Sequence, residues 1–329
     1  MALFSDIIGQ EHIKKHLQDA IVSRMASHAY IIQGEEGMEK SLVAEAFANG
    51  LLCERGEAEP CLECHSCKQY LSKNHPDIKV LVPEKSNVIR VNEVRTQIIN
   101  DVDIKPYSSD YKIYIIPDAQ RMNAQAQNAL LKTLEEPPEY VVILLLCTSE
   151  TLLLDTIISR CVTLCLRPLK NEVVCDYLIK KLEIPDYKAA AIAAFARGSI
   201  GRALQLAQDK QFDAIRALAS EVLRGAKSWD MKGILDAVGS ITSLNTRPEE
   251  FLDYLILWYR DVLVYKSTQN VNSLLFKEDI RLITEIAAAS SFEGIERIIG
   301  AINDARDRLR VNVNKELTIE LVLLAIKES

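Results

Sequence analysis

Glycine and proline are scarce in this chain, at 12 and 10 of 329 residues, and no stretch is of low complexity. Such a composition leaves little room for disordered segments. Long hydrophobic runs are missing as well. Val141 to Cys147 is among the longest, and it is far too short to span a bilayer. The first residues, Met1-Ala-Leu-Phe-Ser-Asp6, lack a basic stretch followed by an apolar core, so no secretory signal is expected. There is no basic excess either. Thirty-nine Lys and Arg against 46 Asp and Glu leave a formal charge of −7, which argues against a stand-alone DNA binder but allows a local basic face inside a complex. Hydrophobic residues at 48% and charged residues at 26% are ordinary for a soluble chain, which is expected in the cytoplasm with no membrane association. The length allows two or three domains.

A further absence is local. Lys112-Ile-Tyr-Ile-Ile116 has the form of an apolar strand that in a P-loop ATPase runs into an Asp for Mg²⁺ and a Glu for water activation. Pro117 and Asp118 fill those two places here. Shifting the register by one makes Asp118 the magnesium acid but puts Ala119 at the catalytic Glu. The acidic pair is missing in either register, so no intrinsic ATPase activity is expected. Gly34-Glu-Glu-Gly37-Met-Glu-Lys40-Ser41 follows a strand and precedes a helix, as the phosphate loop G-x-x-x-x-G-K-[ST] requires. Its last glycine is Glu39, a carboxylate where phosphates would lie. The candidate nucleotide contacts are Gly34, Gly37, Lys40 and Ser41. The competing reading is a structural relic that merely shapes a strand–helix turn, and Glu39 weighs against ATP binding.

Eight cysteines in a cytosolic chain favour a metal site over disulfides, because four of them cluster. Cys53, Cys61, Cys64 and Cys67 have the spacing C-x7-C-x2-C-x2-C, which lets neighbouring thiolates meet one tetrahedral Zn²⁺. With four protein ligands and no open position, such a zinc would be structural. An iron–sulfur cluster or buried free thiols are the alternatives. Iron–sulfur runs carry a further cysteine just downstream, and none follows Cys67 until Cys147. His65 is expected outside the ligand set. Cys147, Cys161, Cys165 and Cys175 are expected in the core.

The first ~165 residues alternate apolar strands with helical stretches, a βα repeat that predicts a three-layer α/β domain with a parallel sheet. Strands are expected at Ala29–Gln33, Ile78–Leu81, Lys112–Ile116, Val141–Leu146 and Val162–Leu166. Helices are expected at Gln10–Ser23, Ser41–Leu52, Val91–Ile99 and Ala124–Leu134, the last stopped by Glu135-Glu-Pro-Pro138. After Pro168 the strand pattern vanishes. The division expected is an α/β domain over 1–167 with a zinc module at 53–67, a small helical lid over 168–209, and a C-terminal helical bundle over 210–329. Lid helices are expected at Asn171–Lys181, Asp186–Arg197 and Arg202–Gln208. In the bundle, Glu249–Lys266 is rich in aromatics and should supply core.

Ser159-Arg160-Cys161 lies between the fourth and fifth strands. A rim Arg is often only a surface charge, yet a guanidinium fork also suits a transferring γ-phosphate on a neighbouring subunit. Together with Phe4-Ser-Asp-Ile-Ile-Gly-Gln10, Ser27-His-Ala-Tyr30, the loop with its cysteines, and Asn128-Ala-Leu-Leu-Lys-Thr-Leu-Glu-Glu-Pro-Pro138, this segment resembles bacterial sliding-clamp loader subunits of the AAA+ superfamily, those of DNA polymerase III. The resemblance covers the whole chain and is strongest over residues 4–167. It implies a P-loop fold, a lid and a C-terminal collar that assembles the complex. It places Pro117 opposite the magnesium Asp and Asp118 opposite the Glu, and makes Arg160, with Ser159, an arginine finger acting in trans. Thr148 matches the polar sensor of the fourth strand. Gly198-Ser-Ile-Gly-Arg202 resembles the second sensor, but Gly201 takes the place where the family's Arg stands. The implied partners are motor subunits of the gamma/tau type, a delta subunit, the sliding clamp and, through the complex, primer-template DNA. The implied role is a non-hydrolysing stator. An active motor of the same family and a zinc-knuckle nucleic-acid binder are the competing functions. The first lacks its loop glycine and acidic pair. The second lacks aromatic–basic interleaving near the cysteines.

Overall fold

The computed structural model describes residues 3–83, 88–243, 248–311 and 313–328. Five strands form one sheet: β1 (Ala29–Gln33), β2 (Ile78–Val80), β3 (Lys112–Ile116), β4 (Val141–Cys147) and β5 (Val162–Cys165). Their order is β2-β3-β4-β1-β5, and every pairing is parallel. The register sets Ala29 beside Ile143, Tyr30 beside Val162, and Lys112 beside Val141. Every residue of β3 and β4 is buried, as expected of strands covered on both faces. Period-two alternation splits the core. Tyr30, Ile32, Val142 and Leu144 face one side with Phe47, Ile13 and Leu17. Ile31, Tyr114, Ile143 and Leu145 face the other with Leu130 and Ile98.

The flanking helices begin with α1 (Glu11–Val22) and α2 (Lys40–Leu52), both near their expected limits, and α3 (His65–Leu71), which lies outside the expected helices. The stretch expected as one helix over Val91–Ile99 forms α4 (Val91–Val94) and α5 (Asn100–Val102) joined by a π turn over Arg95–Ile99. Next come α6 (Ala124–Glu135) and the single turn α7 (Asp155–Ile158). Asn123 caps α6 by accepting the Ala126 N–H at 2.8 Å. The helix ends at Glu135, just before Pro137 and Pro138. The expected α/β domain with a parallel sheet, followed by helices, is therefore what the chain forms. One side-chain expectation fails: Cys165 is exposed rather than core. It lies at the end of edge strand β5, which pairs on one side with β1 and, among the described residues, with no strand on the other. Its Sγ faces Gln33 Oε1 at 3.7 Å. Cys161 and Cys175 are only half-buried, and Cys147 is fully buried.

The chain divides into two compact units. One holds residues 1–169 with Ser199–Gly201, and the other holds 170–198 with 202–329. The helices expected in the lid and those expected in the bundle share the second unit. These are α8 (Asn171–Leu182), α9 (Asp186–Ala196), α10 (Ile200–Gln208, whose first two residues fall in the first unit), α11 (Lys210–Gly225), α12 (Met231–Ser243), α13 (Pro248–Thr268), α14 (Ile280–Ala289), α15 (Phe292–Arg310) and α16 (Lys315–Glu328). Phe251, Tyr254, Trp258 and Tyr259 of α13 are all buried. Tyr254 stacks on Phe195 of α9 at 5.6 Å between ring centroids, and Phe195 meets Phe212 of α11 edge-on at 5.2 Å. Among the described residues, no strand follows β5 and no helix is long and apolar enough to cross a membrane.

Candidate functional site

The strand–loop–helix from β1 into α2 builds a cavity of about 480 Å³. It is lined by Glu36, Gly37, Glu39, Lys40, Ser41, Asp118, Gln120, Arg121, Thr148 and Gly201. Three of the expected loop residues, Gly37, Lys40 and Ser41, thus meet Asp118 and Thr148 in one place. Gly34 lies beneath them, buried. Lys40 Nζ donates to the Gly34 carbonyl at 2.6 Å and the Glu35 carbonyl at 2.9 Å. Burial pushes the ammonium's pKa down, against the opposing pull of Asp118 and Glu36.

Glu39 occupies the position of the missing glycine with φ 52, in the left-handed region that glycine adopts without cost. The loop has kept its shape and accepted the strain. Glu39 is also the N-cap residue of α2, where a negative charge suits the helix dipole. A carboxylate residue therefore stands at the turn into α2 and in the lining of the cavity. The lining carries three acids (Glu36, Glu39, Asp118) against two bases (Lys40, Arg121), a poor balance for a triphosphate.

Asp118 follows Pro117 at the end of β3 and is likewise left-handed, with φ 47. Its carboxylate lies 3.5 Å from Arg121 Nη2 and 3.4 Å from Gln120 Nε2. Gly201 closes the cavity. A Cβ built there would lie 2.6 Å from the Gly37 carbonyl oxygen, so no side chain fits. Arg202 lies 4.0 Å from Asp253, whose carboxylate also meets Arg197 and Arg306.

The four sulfurs of Cys53, Cys61, Cys64 and Cys67 all lie within 4.8 Å of one another and could hold a metal ion. Cys61 and Cys67 Sγ are 4.0 Å apart, near the ~3.8 Å edge that four sulfurs at the Zn–S bond length would form. Backbone N–H groups point at the sulfurs as they would at thiolates. Cys61 donates to Cys53 at 3.4 Å, Cys64 to Cys61 at 3.4 Å, and Cys67 to Cys64 at 3.3 Å. Burial pushes the Cys61 thiol up, but the N–H bonds from Glu63 and Cys64 outweigh it and draw the pKa to about 6. Burial pushes Cys67 up. His65 is exposed and outside the group, as expected. Behind the cluster, buried Ser66 donates to the Leu52 carbonyl at 2.6 Å and meets His75 Nε2 at 2.9 Å, tying α3 to the end of α2.

Arg160 and Ser159 follow α7 on the rim. Arg160 Nη1 donates to the Thr156 carbonyl at 2.9 Å and to Ser159 Oγ at 3.3 Å, and Nη2 lies 2.9 Å from Glu135 Oε1. Nothing in the sequence gives Glu135 a role beyond ending α6. Local spacing does not join two side chains 25 positions apart. Gln127 carries no sequence signal either. It is buried on α6, donates to the Met122 carbonyl at 3.1 Å and accepts from the Leu154 N–H at 2.8 Å, bracing the turn before α6 against the approach to α7.

The same chain has relatives among known proteins. Residues 9–170 match a family described as DNA polymerase III, delta subunit, and residues 220–328 match one described as DNA polymerase III, delta subunit, C terminal. The DNA polymerase III subunit delta′ of Bacillus subtilis (strain 168) is 32% identical over 323 residues, covering 97% of this chain and 96% of that protein. The delta′ subunit of Pseudomonas aeruginosa is 31% identical, with 91% of each chain covered. The tau subunit of B. subtilis is 29% identical across 98% of this chain, which spans 61% of tau. A solved gamma subunit-related protein of Thermotoga maritima aligns at 22% identity with a TM-score of 0.44, over 96% of this chain and 98% of that one.

Proposed function

The chain belongs to the DNA polymerase III delta-subunit family, with delta′ subunits among its relatives, and on that premise we propose that it is the non-hydrolysing, delta′-type stator of a sliding-clamp loader. The observation that carries this reading is the composition of the phosphate cavity. Glu39 lines it in place of the loop glycine and acids outnumber bases around Lys40, while the family resemblance puts Pro117, which is not among the lining residues, where a magnesium acid is needed. A site of that kind has lost both charge neutralisation and water activation.

The useful cation then lies elsewhere. Arg160, supported by Ser159, is offered to the ATP of a neighbouring motor subunit, where a guanidinium would stabilise charge on the transferring phosphoryl group. Partners of the gamma/tau and delta type, the sliding clamp and primed DNA follow from this role, as does work in the cytoplasm. The helices over 168–209 act as a lid and those over 210–329 as the collar that holds the assembly. Zn²⁺ in the Cys53, Cys61, Cys64 and Cys67 cluster would be structural: with all four positions taken by thiolates it offers no site for substrate. Those residues cross-link the loop after α2 to the start of α3.

A motor of the gamma/tau type is the second reading, favoured by the tau relative and by Lys40, Ser41, Asp118 and Thr148 meeting in one cavity. One experiment separates the two: ATP hydrolysis by the purified chain, compared with the complex reconstituted with motor and delta subunits. The stator reading expects background turnover alone and stimulated turnover in the complex. Turnover by the isolated chain that disappears in Lys40→Ala would establish the motor.

A further inference from the structure

We propose that Glu135 is a positioning residue for Arg160. This rests on the reading of Arg160 as the group presented to a neighbour's ATP. Three contacts fix the guanidinium: Thr156 and Ser159 hold Nη1, and the Glu135 carboxylate holds Nη2 at 2.9 Å. Thr156 and Ser159 belong to the same turn as Arg160, so they restrain only the near end of a long side chain. Glu135 comes from a different element and sets the direction in which the fork points. Its own backbone is well anchored as the last residue of α6, with Pro137 and Pro138 ending the helix behind it.

A guanidinium has five N–H donors. The contacts described engage two on Nη1 and one on Nη2, which leaves donors for a phosphate. The pair is also accessible. The Arg160 and Glu135 side chains are 36% and 51% exposed, so a partner surface can reach them and the pair can rearrange at modest cost. Prior orientation spares the complex part of the rotamer entropy an unrestrained Arg loses when it meets its target.

The test uses the full chain in the reconstituted complex with DNA and clamp, reading kcat and KM for ATP separately. Glu135→Ala and Glu135→Gln should each lower kcat by roughly two- to fivefold, the reach of one exposed charge pair, with KM little changed. Arg160→Ala should lower it further, and the Glu135→Ala/Arg160→Ala double variant should equal Arg160→Ala alone, because Glu135 acts through Arg160. Unchanged or raised turnover in the Glu135 variants, or losses that add in the double variant, would overturn the proposal. A second readout needs no activity. In the isolated chain, ¹⁵N relaxation of the Arg160 guanidinium should show restrained rotation that Glu135→Gln releases. If rotation is already free in the wild type, the positioning role fails. If it is restrained but Arg160→Ala leaves turnover unaltered, then the trans-activation reading has failed and Glu135 is only a surface partner.

Discussion

Gly201 stands against the carbonyl of Gly37 so closely that a Cβ at position 201 would lie 2.6 Å from the oxygen. A glycine that looks like a one-residue slip in a sensor motif is thus a packing requirement of the cavity. An Arg placed at 201 would have to displace the loop between β1 and α2. Gly201→Ala should therefore destabilise the chain by roughly 1–3 kcal/mol, the usual cost of forcing atoms into filled space. Urea denaturation checks it. An unchanged midpoint would mean that the loop moves aside freely.

Glu39 holds a left-handed conformation that costs a non-glycine residue about 1–2 kcal/mol, partly offset in any glycine variant by the flexibility gained in the unfolded chain. Glu39→Gly should raise stability by up to about 1 kcal/mol. It should also strengthen binding of a fluorescent ATP analogue, since a carboxylate leaves the loop. Hydrolysis should stay at background because Pro117 still supplies no metal ligand. Turnover on restoring the glycine would show that the chain can hydrolyse ATP without the acidic pair.

One equivalent of zinc per chain is expected by metal analysis. Cys64 accepts the Cys67 N–H at the N-cap of α3, so Cys64→Ser should lose the ion and also loosen that helix. A lower melting temperature is the expected outcome. A metal-free wild-type preparation of undiminished stability would argue for four plain thiols instead.

Asp101 makes the first unit sensitive to acid. Burial pushes its carboxyl up, but the ammonium groups of Lys112 and Lys79 and the Tyr114 hydroxyl outweigh this and hold the pKa at about 2, below the ordinary 3.8. A depressed folded pKa means a contribution present in full above about pH 4 and lost as pH falls toward 2, on the order of 2 kcal/mol. Asp101→Asn should remove that contribution at neutral pH and flatten the acid limb of the stability profile. It would also leave the buried Lys112 ammonium, bonded to the Asp101 and Ile104 carbonyls, without its counter-charge. Equal acid sensitivity in the two proteins would point to other carboxylates, such as Asp77, whose carboxylate accepts five bonds from residues 107–109.

Arg160→Ala should leave folding and assembly intact, because an exposed ion pair contributes little to stability. The DNA- and clamp-stimulated ATP turnover of the reconstituted complex should fall, on the order of two- to tenfold given the other sites that remain, even though a trans Arg contributes ~10³–10⁵ at one site. Arg160→Lys should rescue only partly, since an ammonium lacks the planar fork. Full turnover and clamp loading in the Ala variant would reduce Arg160 to a surface charge.

The sequence alone determined what depends on near neighbours. The β-branched runs at Ala29–Gln33 and Lys112–Ile116 are strands within their expected limits, because period and burial are local properties. The helix stop at Glu135 follows from the prolines behind it. The cysteine cluster is legible because two-residue spacing already brings thiolates together. The tertiary structure decided which distant residues meet. Cys165 has the surroundings of a core residue in the sequence, but its exposure depends on β5 being an edge, which is a matter of strand order. Glu135 reaches Arg160 only once the sheet has set the spacing of α6 and α7, and Gly201 reaches Gly37 only where the start of α10 meets the loop between β1 and α2. Local propensity fixes backbone form within a few residues. Contacts across tens or hundreds of positions arise from the packing of completed elements, and no spacing in the chain records them.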